Sequence, residues 1–287
     1  MGRTTTSEAA VRWPGYRHVV FDCDSTLSGI EGIDELAGAP GLRAEIEELT
    51  ERAMHGAADL AEVYERRLSI LRPDSQQVAS LRARYKQSEV ADAQSVIAFL
   101  HDVGHEVYVV SGGLSEPVRE FAIHLGVPAD HVEAVDMTHD PLSGSWWRSG
   151  SDVSQDYVSY ESGALTKSDG KAEAITKLIG SGEGGVMMVG DGESDLRTRE
   201  SVDLFVGFTG FVNRPVVAES ADVVISDTLL APVAALAIGP LGAELTSDSH
   251  VLLDSARSMY QEGTFRFNNS VIESRFVAAM GYQRSPS

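Results

Sequence analysis

Three short apolar runs in this 287-residue chain each stop abruptly at small or acidic polar residues. His18–Phe21 (H-V-V-F) stops at Asp22, Glu106–Val110 (E-V-Y-V-V) at Ser111, and Val186–Val189 (V-M-M-V) at Gly190 and Asp191. Runs this short and this apolar predict strands covered on both faces, as in a parallel sheet sandwiched between helices. Leu204–Val206 and Val223–Ile225 extend the series to five. Between the runs the spacing turns helical. Glu45, Ile46, Leu49, Ala53 and Met54 recur at three and four, and so do Leu60, Val63, Tyr64, Leu68 and Leu71. Val96–Leu100, Pro117–Leu125 and Lys171–Ile179 carry further helical patterns. Alternation of this kind predicts an α/β fold, a doubly wound parallel sheet. The helical block from Glu31 to about Tyr85 falls between the first two strands and reads as a small helical cap inserted after the first. Val132–Met137 and Tyr157–Tyr160 predict a hairpin turning at Asp140–Gly144. Val251, Leu252, Ala256 and Met259 predict a helix that the pattern does not place in the core.

These boundaries divide the chain into an N-terminal tail (1–16), a catalytic core (17–29 and 89–232), a cap (30–88) and a C-terminal extension (233–287). Hydrophobic residues make up 43% of the chain, enough for a sizeable core. Against 23 Lys and Arg stand 43 Asp and Glu, a formal net charge of -20. That balance argues against nucleic acid and against anionic membranes, both of which are held by clustered cations. It leaves room for a small anionic substrate, because a metal ion reverses the field within one pocket. Leu229–Ala243 is the longest apolar stretch, but Pro232, Gly239 and Pro240 interrupt it and it is too short for a bilayer. The single cysteine, Cys23, excludes an intramolecular disulfide and suits a reducing compartment. Met1–Ala10 has no apolar run, so a cytoplasmic location is expected, and the chain allows a homodimer.

Ligands of open parallel sheets bind beyond the carboxyl ends of the strands, and four polar clusters fall there. Asp22-Cys23-Asp24-Ser25-Thr26 places two carboxylates where both can face a metal and a phosphate, and a carboxylate can attack phosphorus. Ser111-Gly112-Gly113 offers a hydroxyl and unhindered amides to phosphate oxygens. Lys171 opens a helix and can neutralise both phosphate and attacking carboxylate. Gly190-Asp191-Gly192-Glu193-Ser194-Asp195 brings two more carboxylates to the same end. Taken singly, each has an ordinary explanation: a helix cap, a strand-to-helix turn, a surface lysine, an acidic or calcium-type turn. Four in succession, each at a strand end or the start of the next helix, point instead to a metal-assisted phosphoryl site.

The same residues resemble the haloacid dehalogenase superfamily of phosphohydrolases. Its D-x-D-S-T motif matches Asp22–Thr26, its second motif Ser111, its third Lys171, and its G-D-G-x-x-D motif Gly190–Asp195. Glu31–Ala37 (E-G-I-D-E-L-A), E-R-A-M-H-G-A at 51–57, E-R-R-L at 65–68 and E-S-G at 161–163 are similar to the phosphoserine phosphatase sub-family, over roughly residues 17–230. The resemblance implies Asp22 as nucleophile and Asp24 as general acid and then base. It implies Mg²⁺ held by Asp22, Asp191 and the carbonyl of Asp24, with Asp195 on the metal or its waters. Ser111, Gly112 and Lys171 would bind phosphate, Glu31 a substrate ammonium and Arg67 a carboxylate. The reaction implied is hydrolysis of O-phosphoserine.

The chain departs from the sub-family at Asp59 and Leu60, where a proline and a phenylalanine are usual, and in the Trp146-Trp147 hairpin. Those departures leave open the same chemistry on phosphothreonine, phosphohomoserine or a similar small phosphomonoester. A non-catalytic phosphate- or metal-binding module is the reading from another class. It would be expected to lack Asp22, Asp24 or Lys171, and all three are present.

Overall fold

The structure is a computed structural model that describes residues 13–38, 40–54, 60–139, 157–238 and 247–283. The chain opens with β1 (His18–Phe21) and three helices, α1 (Pro40–Met54), α2 (Leu60–Leu71) and α3 (Ser75–Gln87). Then α4 (Ala93–Asp102) leads into β2 (Glu106–Leu114), and α5 (Ser115–His124) into β3 (Val132–Val135). The pair β4 (Met137–His139) and β5 (Tyr157–Tyr160) precedes α6 (Gly170–Ile179), β6 (Val186–Gly190) and α7 (Glu193–Leu196). After them come β7 (Leu204–Phe208), α8 (Pro215–Ser220), β8 (Val223–Ile225) and α9 (Ala231–Ile238). The described chain finishes with α10 (Ser247–Glu262), β9 (Phe265–Phe267) and α11 (Ser270–Met280).

Seven strands form one open sheet in the order β3-β2-β1-β6-β7-β8-β9, parallel except for β9. Every residue of β1, β7 and β8 is buried, which is why their sequences show no alternation. From β1 the chain steps to one side for β2 and β3, then crosses back to the other side for β6, β7 and β8. The direction of winding therefore reverses between β1 and β6. Loops leaving those two strands diverge and open a crevice beyond their carboxyl ends.

The segment expected as one arm of a hairpin is split. Val132–Val135 joins the main sheet beside β2, with Val109 opposite Val132 and Leu114 opposite Val135. Only Met137–His139 pairs with Tyr157–Tyr160. Val132 and Val135 are both buried, and the pairing with β2 gives them that cover. The turn expected at 140–144 and the two tryptophans lie outside the described residues. β2 runs further than its apolar run, through Ser111-Gly112-Gly113 to Leu114, with an irregular register after Val110.

The C-terminal segment is docked. The helix α9 is buried throughout, α10 packs on it, and Leu252, Ala256 and Met259 of α10 are buried. β9 lies antiparallel on β8, Phe265 opposite Ile225 and Phe267 opposite Val223. Phe276 of α11 closes an aromatic cluster, with ring centroids 5.2 Å from Trp13, 5.6 Å from Phe265 and 5.1 Å from Tyr282. No helix among the described residues is long and apolar enough to cross a membrane.

Candidate active site

The loop after β1 folds back on itself at once. The amide of Asp22 still donates to Val189 O at 2.9 Å, so pairing with β6 continues one residue beyond the strand. Cys23 O then accepts from the amides of Leu27 (2.9 Å) and Ser28 (3.1 Å). Ser25 carries the bend with a left-handed φ of 52°, a conformation unusual for a residue with a side chain. Its hydroxyl donates to Glu31 Oε1 at 2.9 Å. Asp24 Oδ1 accepts from the Gly32 amide (3.0 Å) and from the buried phenol of Tyr85 on α3 (2.7 Å). A Cβ on Gly32 would sit 1.9 Å from the Tyr85 oxygen, so the E-G-I-D-E-L-A run needs its glycine for Asp24 to receive both donors.

Lys171, at the start of α6, reaches Asp22 Oδ1 at 2.8 Å and Asp195 Oδ1 at 2.6 Å, and all three side chains are buried. Asp195 Oδ2 accepts the Gly192 amide at 2.9 Å. Gly190 lets this turn close: a Cβ there would fall 2.3 Å from Asp195 Cγ. Carboxylate oxygens of Asp22, Asp191 and Asp195 lie within 4.8 Å of one another. Ser111 is buried on β2, and its Oγ accepts from the Gly113 amide at 3.0 Å. One cavity is lined by Asp22, Asp24, Gly112 and Lys171 from the sheet side and by Glu31 and Arg67 from the other. Of the residues singled out in the sequence, Asp22, Asp24, Glu31, Arg67, Gly112 and Lys171 line this cavity, Asp191 adjoins it through its carboxylate beside Asp22 and Asp195, and Ser111 lies behind Gly113. Asp59, and the side chain of Leu60, lie outside what the structure describes.

Burial dominates the electrostatics. It raises the proton affinity of Asp24, and the charge on Asp22 raises it further, while the hydrogen bonds from Tyr85 and Gly32 hold it back. Asp195 is raised by burial and by Asp22 against the pull of Lys171. For Lys171 burial works against the charged form, but Asp195 and Asp22 together outweigh it. The site therefore holds a fixed cation between two carboxylates, Asp22 and Asp195, while a third, Asp24, has its proton affinity raised. The buried hard oxygens of Asp22, Asp191 and Asp195 could hold a small divalent cation, whose charge would relieve their mutual repulsion.

Three residues in or against this site escaped the sequence. Arg214, fully buried at the start of α8, ion-pairs with Asp191 Oδ2 and lies 3.7 Å from Glu31 and 3.8 Å from Glu51. A lone Arg before a proline carries no spacing signal. Tyr64 was legible only as a member of an apolar helix face and Tyr85 only as the approximate end of the helical block, and their hydroxyls meet the site only in three dimensions.

A family profile described as haloacid dehalogenase-like hydrolase matches residues 16–203. The phosphoserine phosphatase of Drosophila melanogaster is 34% identical over 212 residues, 73% of this chain and 74% of that protein. The phosphoserine phosphatase of Rattus norvegicus is 30% identical over 210 residues, 73% of this chain and 88% of its own length. Among solved structures, a substrate-bound phosphoserine phosphatase complex superposes with a TM-score of 0.64 at 25% identity, covering 76% of this chain and 96% of that one. A phospho-aspartyl intermediate analogue of phosphoserine phosphatase gives 0.63 at 26%, covering 76% and 97%.

Proposed function

The chain belongs to the haloacid dehalogenase-like hydrolases, in their phosphoserine phosphatase branch, and from that membership we propose that it hydrolyses O-phosphoserine to serine and phosphate with the help of Mg²⁺. The observation that carries the reading is the convergence of Asp22, Asp24 and Lys171 in one cavity beneath Glu31 and Arg67. An Asp22 oxygen attacks phosphorus as the ester bond to the serine oxygen breaks, and Asp24 gives that oxygen its proton. Asp24 then takes a proton from the water that attacks the aspartyl phosphate, and the bond from phosphorus to Asp22 breaks. Bound by Asp22, Asp191 and the Asp24 carbonyl, the cation would supply electrostatic stabilisation of the phosphate oxygens. Lys171, Ser111 and the amide of Gly112 hold those oxygens from the protein side. Arg67 meets the substrate carboxylate with its planar fork, and Glu31 meets the ammonium. The single, fully buried Cys23 suits a cytoplasmic enzyme.

One observation favours a second reading, the same chemistry on a different small phosphomonoester. Arg214 lies 3.7 Å from Glu31 and competes for the carboxylate that an ammonium would need. Phosphate release from a panel of phosphomonoesters in the presence of Mg²⁺ separates the two. O-phosphoserine should lead in kcat/KM, and Arg67→Ala should lower it by about thirtyfold or more, the cost of removing one partner of a buried charged contact. Aryl phosphate hydrolysis should fall much less. A wild type that prefers an ester without the amino-acid head would end the phosphoserine reading.

A further inference from the structure

Tyr64 stands in the apolar stripe of α2, yet its phenol does not behave as a core group. It is 2% exposed, it lines the catalytic cavity, and its hydroxyl has no hydrogen-bond partner among the described residues. A buried hydroxyl left unsatisfied costs about 1–3 kcal/mol, so such groups are rare unless something else completes them. The ring is held firmly. Tyr160 of β5 packs against it at 4.9 Å between centroids, and the Arg67 guanidinium, one turn further along α2, lies 5.4 Å from its centre. Arg67 is in the same position: Nη1 donates to Thr50 Oγ1 at 3.0 Å, but Nε is buried without a partner among the described residues. Two unsatisfied donors, fixed side by side in the wall of one cavity, describe half of a binding site.

We propose that Tyr64 is a specificity-determining residue whose hydroxyl donates to the substrate carboxylate beside the Nε–H of Arg67. This rests on the phosphoserine reading. The substrate carries one carboxylate and one ammonium besides its phosphate. Next to a guanidinium an ammonium is repelled and a carboxylate attracted, so the group that meets Tyr64 is the carboxylate. Burial keeps the phenol protonated far above neutral pH, which leaves it a donor. Glu31, whose hydroxyl contact comes from Ser25, is left to the ammonium.

The test uses the full-length protein with Mg²⁺ and two substrates that differ only in the carboxylate, O-phosphoserine and O-phosphoethanolamine. Tyr64→Phe should raise KM for O-phosphoserine by about tenfold or more, as expected for loss of a hydrogen bond to a charged group, with kcat little changed. The constants for O-phosphoethanolamine should stay within about twofold, since that ester offers the phenol no carboxylate. In the absence of substrate the variant should melt no lower than the wild type, because the hydroxyl it loses has no partner among the described residues. Unchanged KM for O-phosphoserine, or an equal loss on both substrates with a lower melting temperature, overturns the assignment. If the wild type does not prefer O-phosphoserine to O-phosphoethanolamine, the substrate reading falls and Tyr64 falls with it. If the preference is present and depends on Arg67 but not on Tyr64, only the role of Tyr64 is lost.

Discussion

The two oxygens of Asp24 have different surroundings. Oδ1 is held by Tyr85 and Gly32, and Oδ2 faces β2, where a Cβ on Gly113 would come within 3.0 Å of it. The role proposed for Asp24, to give and then take a proton, gains from having one oxygen fixed. Tyr85→Phe removes one of the two anchors without changing the shape of the core. It should lower kcat several-fold to about tenfold, with KM nearly unmoved, because Tyr85 is not among the residues that line the cavity. Steady-state kinetics on the two proteins decides this, and an unaltered kcat would show that Gly32 alone suffices. For Asp22→Asn the expectation is a loss of roughly three orders of magnitude or more in a protein that still folds, as for removal of a nucleophile elsewhere. Circular dichroism and phosphate release measured together check it, and a folded variant with full activity would remove Asp22 from its role. At this scale the sequence was legible where residues came in motifs and silent where they came alone. Asp22, Asp24, Lys171 and Asp191 announce themselves by order and by position at strand ends. Arg214 does not, because its partners Asp191, Glu31 and Glu51 come from three other parts of the chain.

The elements tell a similar story. Apolar runs fixed the central strands, because a strand covered on both faces has no alternative but to be apolar along its length. At the sheet margins they marked β3 as a strand without its partner in the sheet and missed β9. Glu133 and Ala134 of β3 are only partly buried, and Arg266 interrupts β9, so neither segment carries a continuous apolar run. Their state is set by a neighbour's open edge rather than by their own composition. The junction of α4 and α9 was equally invisible. Asp92, just before α4, accepts the amides of Leu230 (2.9 Å) and Ala231 (2.8 Å) at the start of α9, more than a hundred residues away. A partly buried carboxylate thus caps a helix to which it does not belong. Asp92→Ala should cost about 1–2 kcal/mol, the usual worth of such a cap. It should lower the melting temperature by a few degrees while leaving KM for the phosphomonoester unaffected. A variant as stable as the parent would mean that water replaces the carboxylate at no cost.

On the scale of the molecule, the last strand and the two helices around it serve the sheet and not the chemistry. β9 covers the edge that β8 would otherwise expose, and α10 covers the fully apolar α9. A protein ending at residue 246 keeps every residue of the catalytic cavity but uncovers these surfaces. It should aggregate or lose its cooperative unfolding transition, and a soluble truncation with parental stability and rate would show the segment to be dispensable. The reversal of winding between β1 and β6 has a further consequence, in time rather than in space. The first strand to be synthesised is the one that needs neighbours on both sides, and the second of those neighbours arrives far later in the chain. Contacts of such long range make a slow step. Asp22 and Asp191 come together only when the β1–β6 seam closes, so a nascent chain holds Asp22 long before the rest of the cluster joins it. During refolding the return of phosphatase activity should therefore lag the return of helical signal, and a fragment ending before Gly190 should have no activity at all.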